Sequence, residues 1–84
     1  EDALRDYYRL RASHVNGAWV SPEAKRAYED KLPDIVSGCL EASRVIRAKF
    51  SGSVPQRVQE RAKDYMGELR TAYETAKADM KLSV

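Results

Sequence analysis

Apolar residues recur every three or four positions along most of the chain, which is the spacing of one face of an α-helix. The clearest series lies near the carboxyl end and comprises Val58, Ala62, Tyr65, Leu69, Ala72, Ala76 and Met80. Steps of three and four residues are typical of the seam of a helical bundle. We therefore predict a long final helix from about Val54 to about Lys81, with Ser53 and Gln56 as its capping box.

Turn signals divide the rest of the chain. A first helix is predicted from about Asp2 to Val15, where Asn16-Gly17 ends it because both residues tolerate the left-handed backbone of a helix C-cap. Ser21-Pro22 supplies a capping hydroxyl and a proline at the first position, which predicts the start of a second helix.

The second helix is predicted to run to about Lys31, and the chain to break or kink at Pro33, which cannot continue the hydrogen bonding. A third helix then carries an apolar series on its inward face: Leu32, Ile35, Cys39, Ala42, Ile46 and Phe50. Gly38 and Gly67 fall inside helices, where glycine often marks a close approach of two helices.

These elements predict an all-α fold, an antiparallel bundle of three long helices and one short one that resembles a four-helix bundle. No β-alternation is visible, and 84 residues are enough for one domain, residues 1–84. The chain starts at Glu1 without a methionine or a visible leader, so we expect a processed or trimmed product.

Charge and chemistry narrow the functional classes. Fifteen basic and thirteen acidic residues alternate along the helices, without the basic stripe of a nucleic-acid binder. No apolar run approaches the roughly 18 residues that span a membrane. We expect neither a nucleic-acid partner nor a membrane span.

No phosphate-binding loop, nucleophile elbow or zinc-protease motif is present, so the sequence predicts no enzyme and no cofactor. One cysteine, Cys39, and one histidine, His14, are too few for a structural zinc site. Cys39 lies in an apolar series and is interpreted as a small hydrophobe. The acidic residues Glu60, Asp64 and Glu68 are interpreted as part of a solvated helix face.

Side chains typical of binding hot spots cluster near the amino end. Tyr7, Tyr8, Arg9 and Arg11 lie on the first helix and Trp19 follows it, so these five residues are the predicted protein interface. Two alternatives stand for Trp19: a plug that closes one end of the bundle, or an anchor for a partner.

The run Arg9-Leu10-Arg11-Ala12-Ser13 resembles one in the Q-type extrinsic subunit of photosystem II. Leu32–Ala48 and Ala62–Gly67 fall in the same order as the last two helices of that family, and Val54-Pro55-Gln56-Arg57 is similar to the small lumenal assembly bundle of the same photosystem. The resemblance implies a four-helix bundle in the thylakoid lumen that docks on the photosystem, shields its manganese–calcium cluster and retains calcium and chloride without supplying metal ligands.

The leading functional hypothesis is therefore a non-catalytic accessory subunit that docks on a larger protein complex, with photosystem II as the host that the resemblance implies. The alternative is a free-standing adaptor that takes a partner helix or peptide into a groove. A small bundle associated with DNA or RNA is a third, weaker hypothesis.

Overall fold

The computed structural model describes residues 2–50 and 55–82. In these ranges the chain forms helix α1 (Ala3–Arg11), strands β1 (His14–Val15) and β2 (Ala18–Trp19), helix α2 (Pro22–Lys49) and helix α3 (Gln56–Leu82). Helices therefore dominate, as the sequence predicts. The arrangement of four helices is not confirmed, since the described residues form one short helix and two long ones with a small hairpin between α1 and α2.

Helix α1 ends at Arg11, four residues earlier than predicted. The chain then folds back, and the amide of Val20 donates to the carbonyl of Ser13 at 2.9 Å. Asn16 (φ 53°) and Gly17 (φ 80°) make the turn, and two consecutive positive φ angles are those of a tight two-residue hairpin. The prediction of a helix C-cap at Asn16-Gly17 is wrong, because the same left-handed tolerance serves a hairpin equally well.

Helix α2 starts as predicted and passes through its internal proline without ending. The hydroxyl of Ser21 accepts a hydrogen bond from the amide of Ala24 at 3.1 Å, and Pro22 opens the helix. An interior proline costs about 3 kcal/mol. Burial of Leu32 and Ile35, each 1% exposed and flanking Pro33, contributes roughly 1.5–3 kcal/mol per side chain and offsets that cost. The predicted second and third helices are therefore one helix.

Helix α3 begins at Gln56, and the carbonyl of Pro55 accepts from the amides of Val58 and Gln59. The predicted start at Val54 and the cap at Ser53 lie outside the described residues. Leu69, which is fully buried, lies at the centre of the predicted seam, so the register of this helix is confirmed.

Helices α2 and α3 run antiparallel, since Tyr28 bonds to Asp79 at one end of the pair and Phe50 lies beside Gln59 at the other. Helix α1 lies along them, from Ala3 beside Gly38 to Arg11 beside Tyr28 and Asp79. A Cβ atom built on Gly38 would lie 2.5 Å from the Cβ of Ala3, so α1 approaches α2 closely there, as predicted for that glycine. A Cβ atom on Gly67 would meet nothing within 4 Å, so the same prediction is wrong for Gly67.

The core is confined to the end of the α2–α3 pair that α1 covers. Eight side chains are fully buried: Leu4, Tyr28, Leu32, Ile35, Cys39, Leu69, Ala72 and Ala76. Among the described residues, none in 40–50 of α2 or 55–68 of α3 is buried to that degree. We call these two segments the open half of the domain and the rest of α2 and α3 the closed half.

Candidate protein-binding groove

The five residues of the predicted interface do not form one exposed surface. Tyr8 and Arg9 are exposed, whereas Tyr7, Arg11 and Trp19 are half-buried. The predicted interface therefore splits into two groups with different surroundings.

The exposed pair is engaged in polar contacts of its own. The hydroxyl of Tyr8 donates to the carboxylate of Glu68 at 2.7 Å, which ties α1 to α3. Arg9 lies 3.2 Å from the carboxylate of Asp6, one turn earlier on α1. Arg9 is the more available of the two for a partner, because an exposed ion pair within one helix is weak.

The half-buried group surrounds Tyr28, which is 1% exposed. Its ring centroid lies 5.1 Å from that of Trp19 and 6.5 Å from that of Tyr7, and the guanidinium carbon of Arg11 lies 5.9 Å from it. The Tyr28 hydroxyl donates to Asp79 at 2.5 Å. Burial, followed by the bond to the Asp79 carboxylate, raises the pKa of Tyr28 well above its usual value. These contacts join α1, the hairpin, α2 and α3 at one point.

Trp19 has the surroundings of a plug. Its ring packs on Tyr28, and the ring of His14 meets it edge-on at 4.9 Å across the hairpin. Trp19 is partly buried against the core, so its contacts are those of the first alternative stated above.

Arg11 is also tied to the closed half. Its Nε atom is buried and lies 3.6 Å from the carboxylate of Asp79, without a hydrogen-bond partner among the described residues. Replacing Arg11 would therefore disturb packing around Tyr28 as well as any surface contact, so Arg9 is the better reporter of docking through α1.

The single thiol of the chain lies in the core. Cys39 is fully buried, and burial raises the pKa of its thiol, which disfavours the nucleophilic thiolate. Within residues 2–50 and 55–82, no group of three or more His, Cys, Asp or Glu side chains could hold a metal ion. No helix in those ranges is long and apolar enough to cross a membrane.

The open half carries a groove on the face of the α2–α3 pair that is turned away from α1. Leu40 follows Gly38 by two positions, so the two lie about 200° apart around α2, and Gly38 faces α1. The part of the groove beside Leu40 has a volume of about 480 Å³. It adjoins a second part of about 450 Å³ that shares Arg47, Lys63 and Met66 with it. We call the two parts together the back groove.

Two series of side chains line the back groove at helical spacing. From α2 they are Leu40, Ser43, Arg47 and Phe50, and from α3 they are Gln59, Lys63, Met66, Arg70 and Tyr73. Each series advances by steps of three and four residues, so each forms a straight ridge along its helix. Two parallel ridges with a trough between them are the geometry that receives a third helix.

Apolar surface remains uncovered in this half. Leu40 is 39% exposed, and it lines the back groove together with the half-buried Phe50 and Met66. Val45 and Val58 are 43% and 40% exposed, outside the lining of the groove. Apolar side chains grouped in a trough with a polar rim are typical of a surface that another molecule covers.

Sequence reasoning missed this groove, although one signal for it exists. From the sequence alone, Leu40 widens the inward face of α2 and Lys63 belongs to a solvated helix face. Arg47 has two equal explanations from the sequence, contact with an acidic partner surface or complementation of the helix dipole. The repeat of three- and four-residue steps through Leu40 and Arg47 marks a second stripe on α2, beside the core stripe. Only packing shows that α1 leaves this stripe uncovered.

Comparisons with protein-family models, with curated proteins and with solved structures find no match for this chain. The residues and their geometry are therefore what indicates its function.

Proposed function

We propose that this chain is a non-catalytic protein-binding module that takes one helix of a larger assembly into the back groove. The proposal rests on one observation: α1 covers only one half of the α2–α3 pair. Helix α1 and the core stabilise one end of α2 and α3, while the other end presents the apolar side chains of Leu40, Phe50 and Met66 in the trough.

A helix is the occupant that fits the trough best. The groove extends over residues 40–50 of α2, about 15 Å at 1.5 Å per residue, which matches two to three turns of a helix. Apolar anchors at steps of three and four residues on the partner would meet Leu40, Phe50 and Met66, the apolar members of the two ridges. Partner helices of this kind bury their apolar face and leave their polar face in water.

The test uses a panel of amphipathic helical peptides of about 14 residues, with leucine on one face and Glu, Gln or Lys beside it. At least one member should bind with one-to-one stoichiometry, measured by fluorescence anisotropy. Gly67→Trp should weaken that binding at least about tenfold, because Gly67 lines the groove and a side chain there enters open space.

Asp64→Trp is the matched control, since Asp64 is exposed on the same helix and does not line the back groove. It should bind like the unchanged protein. Amide chemical shifts offer a second readout that needs no variant: changes should centre on Leu40, Arg47 and Met66. Failure of every peptide to bind, or equal binding by Gly67→Trp, would refute the proposal.

The resemblance to lumenal photosystem subunits supplies a narrower form of the proposal, in which the assembly is photosystem II and the compartment is the thylakoid lumen. It is supported by the Arg9–Ser13 run, which lies at the end of α1 and not in the back groove.

That form is tested with photosystem II membranes washed free of extrinsic proteins. The protein should rebind, be released at high salt, and support oxygen evolution when calcium and chloride are scarce. Arg9→Ala should weaken rebinding with little change in melting temperature, whereas Arg61→Ala, a matched exposed arginine on α3, should not. Absence of rebinding would exclude this host and leave the groove proposal standing.

A further inference from the structure

We infer that the helix received by the back groove is acidic, with carboxylates beside its apolar face, and is not a second copy of this chain. The inference rests on the proposed function and adds the chemistry of the partner. It is carried by the charges along the two ridges of the groove.

The middle of the groove holds two cations that no carboxylate in residues 2–50 and 55–82 pairs with. Arg47 and Lys63 line both parts of the groove, one on each ridge. Neither forms an ion pair with a carboxylate of the described residues. Their aliphatic stems can cover the apolar floor while the charged ends stay at the rim, where a partner carboxylate would meet them.

The remaining charged residues of the groove leave an excess of positive charge in its lining. Arg70 adds a third cation, but it lies 3.5 Å from Glu74, four residues later on α3. Glu60 is the other carboxylate of the lining. The groove thus offers three cations and two carboxylates, and one of those carboxylates is already paired.

The same charges oppose self-association through this face. A two-fold interface brings the same surface patch of both copies together. With its axis at the middle of the groove, such an interface would set the Arg47 and Lys63 pair of one copy against that of the other, and unpaired like charges at an interface are unfavourable. An acidic helix instead places a carboxylate at each ridge and leucine-like side chains on the floor.

The experiment compares the Glu, Gln and Lys members of the peptide panel on the full chain. The Glu peptide should bind about tenfold more tightly than the Lys peptide at low salt, with the Gln peptide between them, since two exposed ion pairs contribute modestly. That preference should fade as salt rises to about 0.5 M, where screening is strong.

The double variant Arg47→Glu, Lys63→Glu should reverse the order and prefer the Lys peptide. The control double variant Arg26→Glu, Lys31→Glu changes net charge equally at exposed positions outside the back groove, and should keep the preference for Glu. Salt dependence on the unchanged protein gives an answer even if the first variant fails to fold.

Other results would overturn the inference in distinguishable ways. Equal binding of all three peptides at low salt would refute the inference that the partner is acidic and would leave the proposed function of the groove standing. A dimer in sedimentation that Gly67→Trp dissociates would assign the face to a second copy. Failure of all three peptides would remove the proposed function and the inference together.

Discussion

Leu69→Ala should lower the free energy of unfolding by about 2–4 kcal/mol, through lost transfer energy and the cavity that remains. Leu69 is 0% exposed and belongs to the core cluster between α2 and α3. A domain of this size has a total stability of roughly 5–15 kcal/mol, so this loss would be a large part of it. Urea unfolding followed by circular dichroism measures the effect as a lower midpoint at an unchanged slope.

Leu82→Ala is the matched control on the same helix, because Leu82 is 85% exposed. It should change the free energy of unfolding by less than about 0.5 kcal/mol. Equal effects of the two substitutions would mean that Leu69 is not in the core and that the packing of α3 described above is incorrect.

Gly38→Leu should destabilise the domain by about 1–3 kcal/mol, the range for overpacking at a tight contact. The Cβ atom alone would fall 2.5 Å from that of Ala3, so α1 must shift away from α2. Urea unfolding measures the loss of stability. Weaker protection of the α1 amides against hydrogen exchange would show that the loss lies at α1.

Gly67→Leu should instead raise the free energy of unfolding. Gly67 is also inside a helix, but its Cβ would meet nothing within 4 Å, so the gain in helix propensity, about 0.5–1 kcal/mol, is not offset by a clash. Stabilisation by both substitutions would show that α1 does not press on α2 at Gly38.

Periodicity predicted the core stripes correctly where packing follows the simple rule that apolar faces meet. Leu32, Ile35 and Cys39 on α2 are buried, as are Leu69 and Ala72 on α3. The rule fails at the far end of the seam, where Val58 is 40% exposed, because α1, the third helix of the described residues, packs on the other end of α2 and α3.

Two local signals were ambiguous in ways that only tertiary contacts resolve. Pro33 normally ends a helix, but the buried residues on both sides of it hold the backbone in place. Asn16-Gly17 fits both a helix C-cap and a hairpin turn. The structure has the hairpin turn, in which Trp19 packs on Tyr28.

The candidate interface shows the same limit. Residue type alone cannot distinguish an aromatic or arginine that binds a partner from one that holds the domain together. Arg11 and Trp19 belong to the second kind by their contacts with Tyr28. Leu40 and Arg47, which are not among the five residues of the predicted interface, line the groove instead. Exposure, which depends on where α1 lies, makes the difference.

Confinement of the core to one end separates two evolutionary constraints along the same pair of helices. Substitutions near Tyr28 or Leu69 are limited by folding, because these side chains are buried. Substitutions along Leu40, Arg47 and Lys63 are much less limited in this way, because their side chains are exposed. Under the binding function proposed above, partner choice can therefore diverge at the open half while the closed half keeps the scaffold, so related modules would share a fold and differ in what they bind.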